Sequence, residues 1–191
     1  MQLILASQSP RRKTLLELFH IPFTVRVADI DEHMDPQKDP YREVGRVSRE
    51  KAEAVAADPE DVVIAADTIV VCGNQVLGKP KDAQDAYRML RLLSGCDHQV
   101  MTGMTVLHNG NPVVCTEVTD IHFRDLCDKE IWNYIRTGEP MDKAGAYGIQ
   151  GGAALFVQRI SGDYYNVMGL PVCRLSQILR QTAPEIMEEI Q

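Results

Sequence analysis

The sequence predicts an α/β fold built on one mixed β-sheet, and three observations support this. Apolar, β-branched runs alternate along the chain with segments of helical period. The dipeptide Asn109-Gly110 lies between strand candidates at 98–108 and 113–123, a pattern typical of an antiparallel hairpin, so the sheet cannot be wholly parallel. The length of 191 residues favours a single domain or two small lobes that share a core.

The first half of the chain predicts strands and helices in alternation. Apolar and β-branched runs predict strands at 3–6, 23–27, 62–72 and, after a Gly73-Asn74 turn, 75–77. Capping residues and apolar spacing predict helices from Pro10 to about Phe19, from Tyr41 to Ala57, and from the Asp82 cap to about Leu93. The acidic, proline-containing segment 28–40 is expected to be a loop.

The second half continues this alternation after the hairpin. A helix is expected to begin at Asp128 and to end near Thr137-Gly138. The glycine-rich segment 139–152 predicts a loop or a set of tight turns, and 153–160 predicts a strand. A last helix is expected from Pro171 to about Gln181, followed by an acidic tail from Pro184 that we expect to fray.

Charge and cysteine content narrow the class of protein. The chain has 20 Lys and Arg against 27 Asp and Glu, a net charge of −7, which disfavours a nucleic-acid polymer as partner. No apolar stretch approaches the length of a membrane span, and the N-terminal segment lacks the pattern of a secretory signal. The five cysteines form no CxxC pair, which favours reduced thiols and a cytoplasmic location.

The segment from Ser7 to Arg12 is the first candidate site. It connects a predicted strand to a predicted helix, with Ser9 as N-cap and Pro10 as first helical residue. Arg11 and Arg12 lie against the positive end of the helix dipole, which is unfavourable unless an anion binds there. A capped helix with two solvated arginines is the alternative; we favour a phosphate site.

Asp67 and Lys51 are charged residues in apolar patterns. Asp67 interrupts the apolar run 62–72, where a carboxylate is costly unless it is paired, hydrogen-bonded or bound to a metal. It is either a structural aspartate held by backbone donors, or a metal ligand or general base. We favour the hypothesis of a metal ligand or general base. Lys51 continues the apolar stripe of its helix, so it is either a stem that reaches out to solvent or a buried functional cation.

Three further segments could carry chemistry. The stretch Gly73–Lys79 matches the start of a P-loop, but Pro80 replaces the required Ser or Thr, so we reject that motif and keep Lys79 as a phosphate-binding cation. The acidic run 29–35 could hold a divalent cation, although a solvated loop is favoured there. The glycine-rich loop around Gln150 could bring backbone close to a ligand or could be a surface loop.

Taken together, these segments resemble the Maf family of nucleotide pyrophosphatases, also called septum formation inhibitors. The resemblance covers residue 3 to about residue 180, in the order that the family has. The motifs that carry it are Ser7-Gln8-Ser9-Pro10-Arg11-Arg12, Asp31-Glu32, Arg49-Glu50-Lys51-Ala52, Ala66-Asp67-Thr68, Gly78-Lys79-Pro80, Asp142–Gly151 and Val167-Met168-Gly169-Leu170-Pro171.

This resemblance implies an elongated mixed sheet flanked by helices, with residues 1–191 as one domain of two lobes around a deep cleft. It implies cleavage of a nucleoside triphosphate to the monophosphate and pyrophosphate with Mg²⁺ or Mn²⁺, in a cytoplasmic homodimer with a link to cell division. The family's proton acceptor falls on Asp67. The subgroup that acts on dTTP and UTP has Arg, Thr and Gln at three selectivity positions, which here are Arg11, Thr68 and Gln150.

The residues themselves agree with this chemistry. A triphosphate needs cations gathered at one place, and Arg11, Arg12, Lys51, Lys79 and a helix N-terminus can supply them. Mg²⁺ prefers carboxylates together with substrate phosphates, which fits Asp67 and Glu32. Whether Asp67 deprotonates the attacking water or holds the metal stays open at this point.

Two other functions compete with a dTTP/UTP pyrophosphatase. One is a pyrophosphatase for 7-methyl-GTP or a similar modified nucleotide, which residues 11, 68 and 150 oppose. The other is a nucleotide-binding inhibitor of cell division without turnover. Asp67 and Glu32 oppose it, because binding alone would favour a phosphate site without carboxylates.

Overall fold

The computed structural model describes residues 1–55 and 57–188. Its strands are β1 (Leu3–Leu5), β2 (Phe23–Val25), β3 (Val62–Cys72), β4 (Gln75–Leu77), β5 (Asp97–His108), β6 (Asn111–Phe123) and β7 (Val157–Ser161). Its helices are α1 (Pro10–Glu17), α2 (Pro40–Ala54), α3 (Ala83–Leu93), α4 (Asp128–Arg136), α5 (Tyr164–Met168), α6 (Val172–Thr182) and α7 (Pro184–Met187). Short 3-10 turns cover Glu139–Asp142, Ala144–Ala146 and Gly152–Leu155.

The strands of the described chain form one seven-stranded mixed sheet in the order β2-β1-β3-β5-β6-β7, with β4 paired to β3. β1 runs parallel to both β2 and β3, whereas β4 on β3 and β7 on β6 are antiparallel. The turn between β5 and β6 has positive φ at both Asn109 (50°) and Gly110 (72°), as a two-residue hairpin turn requires. The mixed α/β class predicted from the sequence is therefore confirmed.

The chain divides into two compact units. The first comprises Met1–Asp67, Thr102–Glu117 and the segment from Gly169 onward; the second comprises Thr68–Met101 and Val118–Met168. In the first unit, α2 packs on the sheet through small apolar side chains: Ala52 lies in one buried cluster with Ala6, Val63 and Ala65. In the second unit, Phe123 packs edge-on against Tyr147 and Phe156, with ring centroids 4.8 and 6.0 Å apart.

The expected element boundaries hold closely where a local signal sets them. Ser9 caps α1 and Asp82 caps α3, each accepting a backbone N–H three residues on. Strand β3 covers 62–72 as predicted, and α2 ends at Ala54 because Val55 is extended (ψ 127°). The predicted end of this helix at residue 57 is therefore wrong by three residues, and Ala56 lies outside the described residues.

Two predictions near the C-terminus are wrong. The strand expected at 153–160 begins only at Val157, because Gly152–Leu155 forms a 3-10 turn closed by Ala154 N–H to the Gly151 carbonyl (3.0 Å). The tail that was expected to fray from Pro184 forms α7 over Pro184–Met187, since Ile186 is buried at 5% exposure, and its last residues, 189–191, lie outside the described part of the chain. The short helix α5 was not predicted; Asp163 marks its start by accepting the Tyr165 N–H at 2.8 Å. Within the described residues, no helix is long and apolar enough to span a membrane.

Candidate active site

The loop from Ser7 to Arg12 connects β1 to α1 and is built around one serine hydroxyl. The Ser7 side chain is buried, and its Oγ accepts from the Ser9 N–H and from the Arg12 Nη1, both at 3.2 Å. The Ser9 Oγ accepts the Arg12 N–H at the longer distance of 3.5 Å. These contacts order the first turn of α1, which carries Arg11 and Arg12. Pro10 is its first residue, a position where the missing N–H of proline costs no helical hydrogen bond.

The Arg12 guanidinium group also contacts a second segment of the first unit, besides its own loop. Its Nε donates to the Gly169 carbonyl at 2.7 Å, which ties the α1 N-terminus to the segment before α6. Burial lowers the pKa of the Arg12 guanidinium group, and the charges of the Asp67 and Glu32 carboxylates oppose that change. The Ser7–Arg12 loop, Asp67 and Glu32 all belong to the first unit.

Lys51, Asp67 and Glu32 form one charged cluster in the first unit. The Lys51 Nζ lies 2.7 Å from Asp67 Oδ1 and 3.0 Å from Glu32 Oε1. The side chains of Lys51 and Asp67 are only 13% and 14% exposed, whereas Glu32 is 55% exposed. Lys51 is thus not a stem that reaches out to solvent, and Asp67 is paired with a cation.

The fold explains why these charges meet. Lys51 precedes Ala52, whose methyl group packs among Ala6, Val63 and Ala65, so α2 approaches the sheet closely at this point. Asp67 lies on β3, at the last residue of the first unit. The ammonium group of Lys51 therefore reaches the Asp67 carboxylate, and the loop before α2 brings in Glu32.

The donor set fits a divalent cation only in part. Mg²⁺ takes one or two carboxylates together with substrate phosphates and water, and Asp67 and Glu32 supply two carboxylates next to the same ammonium group. No group of three or more His, Cys, Asp or Glu in the described chain forms a cage of protein ligands. In the acidic segment 29–35, Asp31 accepts the His33 N–H (2.9 Å) and Asp35 the Gln37 N–H (2.9 Å), as in a solvated loop.

The other three predicted site residues lie in the second unit. Thr68 follows Asp67 directly on β3. Lys79 lies after β4, is exposed, and makes no side-chain hydrogen bond or ion pair with the residues that the structure describes. Gln150 is exposed at the tip of the glycine-rich loop. Gly73 and Asn74 form the β3–β4 turn, which confirms that 73–79 is not a P-loop.

Several residues that shape these sites could not be assigned a role from the sequence. Gly169 stands out only as part of the motif Val167–Pro171, whereas its carbonyl accepts from Arg12. Tyr134 and Glu139 hydrogen-bond the backbone on either side of Gln150. The buried His98 side chain lies 2.9 Å from the Tyr147 hydroxyl. The signal for His98 was a polar residue at the start of the strand candidate 98–108.

The architecture of the chain matches a solved structure. The chain resembles the structure of a HAM1 protein from Coxiella burnetii, with a TM-score of 0.50 over 95% of this chain and 99% of that chain. The two sequences are 13% identical, so the likeness concerns the fold alone. The mixed sheet with flanking helices is therefore a known architecture.

Sequence comparison then defines the family. The model of the Maf-like protein family matches residues 2–182. The chain is 53% identical to the dTTP/UTP pyrophosphatase of Geobacillus sp. (strain WCH70), over 91% of this chain and 94% of that protein. It is 50% identical to the dTTP/UTP pyrophosphatase of Alkaliphilus metalliredigens (strain QYMF), over 94% and 95% of the two chains. The chain belongs to the Maf family.

Proposed function

We propose that the protein is a nucleoside triphosphate pyrophosphatase that hydrolyses dTTP and UTP to the monophosphate and pyrophosphate. Relatives about half identical over nearly their full length are named for that activity. The observation that carries the proposal is the Glu32–Lys51–Asp67 cluster, whose carboxylate charges oppose the lowering of the Arg12 pKa on the Ser7–Arg12 loop. It combines a proton acceptor with cations at an anion-binding helix N-terminus.

The Ser7–Arg12 loop binds the phosphates in this proposal. The α1 N-terminus offers backbone N–H groups and the positive end of the helix dipole, and Arg11 and Arg12 add charge. Arg12 is held in place before substrate arrives, because Ser7 and Gly169 both accept from its guanidinium group. Such prior ordering reduces the entropy lost when substrate binds.

Asp67 acts as the proton acceptor for the water that attacks the α-phosphorus. Attack forms the new P–O bond to the monophosphate, while the bond from the α-phosphorus to the bridging oxygen breaks and releases pyrophosphate. Lys51 orients the Asp67 carboxylate and lies close to the charge that develops on the phosphates. Lys79, which the structure leaves exposed, is assigned to the leaving pyrophosphate.

Asp67 and Glu32 would also hold the divalent cation, Mg²⁺ or Mn²⁺, in the substrate complex. Both carboxylates contact the same Lys51 ammonium group, so they already face a shared cation. A bound metal ion would neutralise phosphate charge and polarise the phosphoryl oxygens. Glu32, which is more than half exposed, can exchange its lysine contact for a metal contact at low cost.

Arg11, Thr68 and Gln150 are assigned to recognition of the base. A uracil or thymine edge presents two carbonyl acceptors and one N–H donor. The Gln150 amide can donate and accept, and its exposed side chain makes no hydrogen bond with the described residues.

The compartment and assembly complete the proposal. All five cysteines are free thiols, which supports a reducing compartment, and we place the enzyme in the cytoplasm. The family resemblance supports a homodimer, and light scattering at micromolar concentration tests it by the mass expected for two chains.

The position of bond cleavage tests the reaction class. The protein is incubated with UTP and Mg²⁺ in water enriched in ¹⁸O, and the products are analysed by mass spectrometry. The proposal predicts UMP that carries the label and pyrophosphate that does not. UDP with labelled inorganic phosphate would show a phosphatase instead, and no turnover would favour the non-catalytic alternative.

A further inference from the structure

The backbone of the Gln150 loop, residues 148–152, is held by two side chains, those of Tyr134 and Glu139. The amide N–H of Gly148 donates to the Tyr134 hydroxyl, and the N–H of Gly152 donates to Glu139 Oε2, both at 3.0 Å. These two glycines flank Gln150 symmetrically, two residues on either side. The backbone on both sides of Gln150 is thus tied to the segment 134–139.

The two anchors are themselves joined. The Tyr134 hydroxyl donates to Glu139 Oε1 at 2.9 Å, so one carboxylate and one hydroxyl connect both amides. Tyr134 is buried at 5% exposure, and its ring packs edge-on against Phe156 at 5.2 Å. Lys143 adds a further tie, because its Nζ donates to the Glu139 carbonyl at 2.7 Å.

The glycines allow this close approach. A Cβ added to Gly148 would lie 2.6 Å from Lys143 Cε, and one added to Gly152 would lie 3.2 Å from Tyr134 Cδ2. A Cβ on Gly151 would collide with the Glu139 carboxylate. The glycine-rich pattern around Gln150 therefore serves the contact with Tyr134 and Glu139.

We propose that Tyr134 and Glu139 are positioning residues that set where Gln150 meets the base, and so determine pyrimidine selectivity without contacting substrate. This inference rests on the proposed function, in which Gln150 reads the base. A misplacement of about 1 Å can cost about 10²-fold in rate, so a side chain that reads hydrogen bonds loses discrimination when its backbone moves.

Two variants break the contacts and one retains them. Tyr134→Phe removes the hydroxyl and leaves the Gly148 amide without its acceptor, while Glu139→Leu removes the acceptor of Gly152. Glu139→Gln can keep both contacts: its oxygen accepts from Gly152, and its amide donates to the Tyr134 oxygen, which has a second lone pair. Tyr87→Phe is the matched control, because Tyr87 makes the same kind of bond, to Asp128 Oδ1 at 2.9 Å.

The test measures the ratio of kcat/KM for UTP to kcat/KM for GTP. This ratio is insensitive to the folded fraction of a variant, because both substrates meet the same folded enzyme. We expect Tyr134→Phe and Glu139→Leu to lower it by about tenfold or more, chiefly through KM for UTP. Glu139→Gln and Tyr87→Phe should stay within about threefold of the wild type.

Hydrogen exchange of the peptide that covers 143–153 gives a readout independent of turnover. Faster exchange of this peptide in Tyr134→Phe and Glu139→Leu, but not in Glu139→Gln, is expected. A selective wild type with equally selective Tyr134→Phe and Glu139→Leu variants would overturn this inference alone. A wild type that does not prefer UTP to GTP would overturn the proposed function and this inference with it.

Discussion

Substitution of Asp67 by Asn separates the catalytic role of its charge from its role in folding. Asn keeps the size of the side chain and can still accept a hydrogen bond from Lys51, but it cannot take up a proton from water. The Lys51 ammonium group keeps its 3.0 Å contact with Glu32. The perturbation is therefore the loss of one carboxylate charge, with little change in packing.

The cost in stability follows from the contact that is weakened. A hydrogen bond between charged groups contributes about 1.5–3 kcal/mol, and the Lys51–Asp67 contact at 2.7 Å is largely shielded from solvent. Since Lys51 keeps one carboxylate partner, we expect a loss of about 2 kcal/mol. In a chain of this length that lowers Tm by about 4–8 °C, so the variant stays folded at 25 °C.

The cost in activity should be larger. Loss of a general base lowers kcat by about 10²–10⁴-fold, and a weakened metal site would add to that. Steady-state kinetics with UTP and a melting curve on the same sample measure both effects. The matched control is Asp61→Asn, because Asp61 is also buried and accepts the Gln2 N–H at 2.8 Å outside the cluster.

Asp61→Asn should lose comparable stability and keep kcat within about threefold. If Asp67→Asn retained more than about a tenth of wild-type kcat at saturating metal, Asp67 would not be the proton acceptor. If both variants lost activity equally, the loss would report folding and not chemistry.

Three further substitutions, at Lys79, Gln150 and Lys51, probe site assignments, and one at His98 probes how stability depends on pH. Lys79→Ala should lower kcat/KM for UTP at least about tenfold without a change in Tm, whereas the neighbouring Lys81→Ala should change neither; equal losses would indicate a general charge effect. Gln150→Glu should lower kcat/KM for UTP at least about tenfold and less for GTP, because an ionised carboxylate cannot donate to a pyrimidine carbonyl; equal losses would mean that the side chain supports the loop only. Lys51→Met should lower Tm, and Mn²⁺ should raise the Tm of this variant more than that of the wild type, because two carboxylates lose their shared ammonium group; an equal Mn²⁺ effect in both would argue against metal binding by these carboxylates. Burial lowers the pKa of His98 to about 4, so the unfolded chain binds the proton more readily and stability falls as pH drops from about 6.5 to 4. His98→Gln should lack this part of the slope, on the order of 3 kcal/mol, in urea denaturation at several pH values.

Local signals account for the parts of the fold that the sequence predicts well. The Asn109-Gly110 turn, the Ser9 cap and the apolar run of β3 are each decided by neighbouring residues, and the structure has all three. The 3-10 turn Gly152–Leu155 was missed because it depends on Glu139, thirteen positions earlier, accepting the Gly152 N–H. Periodicity within 153–160 cannot report such a contact.

In the candidate site, too, residues with a local signal were predicted, whereas roles that depend on distant contacts were not. The cost of a carboxylate in an apolar strand singled out Asp67, and the arginines at a helix N-terminus singled out the Ser7–Arg12 loop. Periodicity alone could not decide whether Lys51 reaches solvent, because the answer depends on Asp67, sixteen residues away on β3. Gly169 could not be assigned a role, since its contact with Arg12 spans 157 positions.

Turnover of pyrimidine triphosphates is tested by kcat/KM of the wild type for UTP, dTTP, ATP, GTP and 7-methyl-GTP with Mg²⁺, with released pyrophosphate as the signal. UTP and dTTP should be the best substrates, at least about tenfold above ATP and GTP. A preference for 7-methyl-GTP, or binding of UTP without release of pyrophosphate, would refute the proposed function.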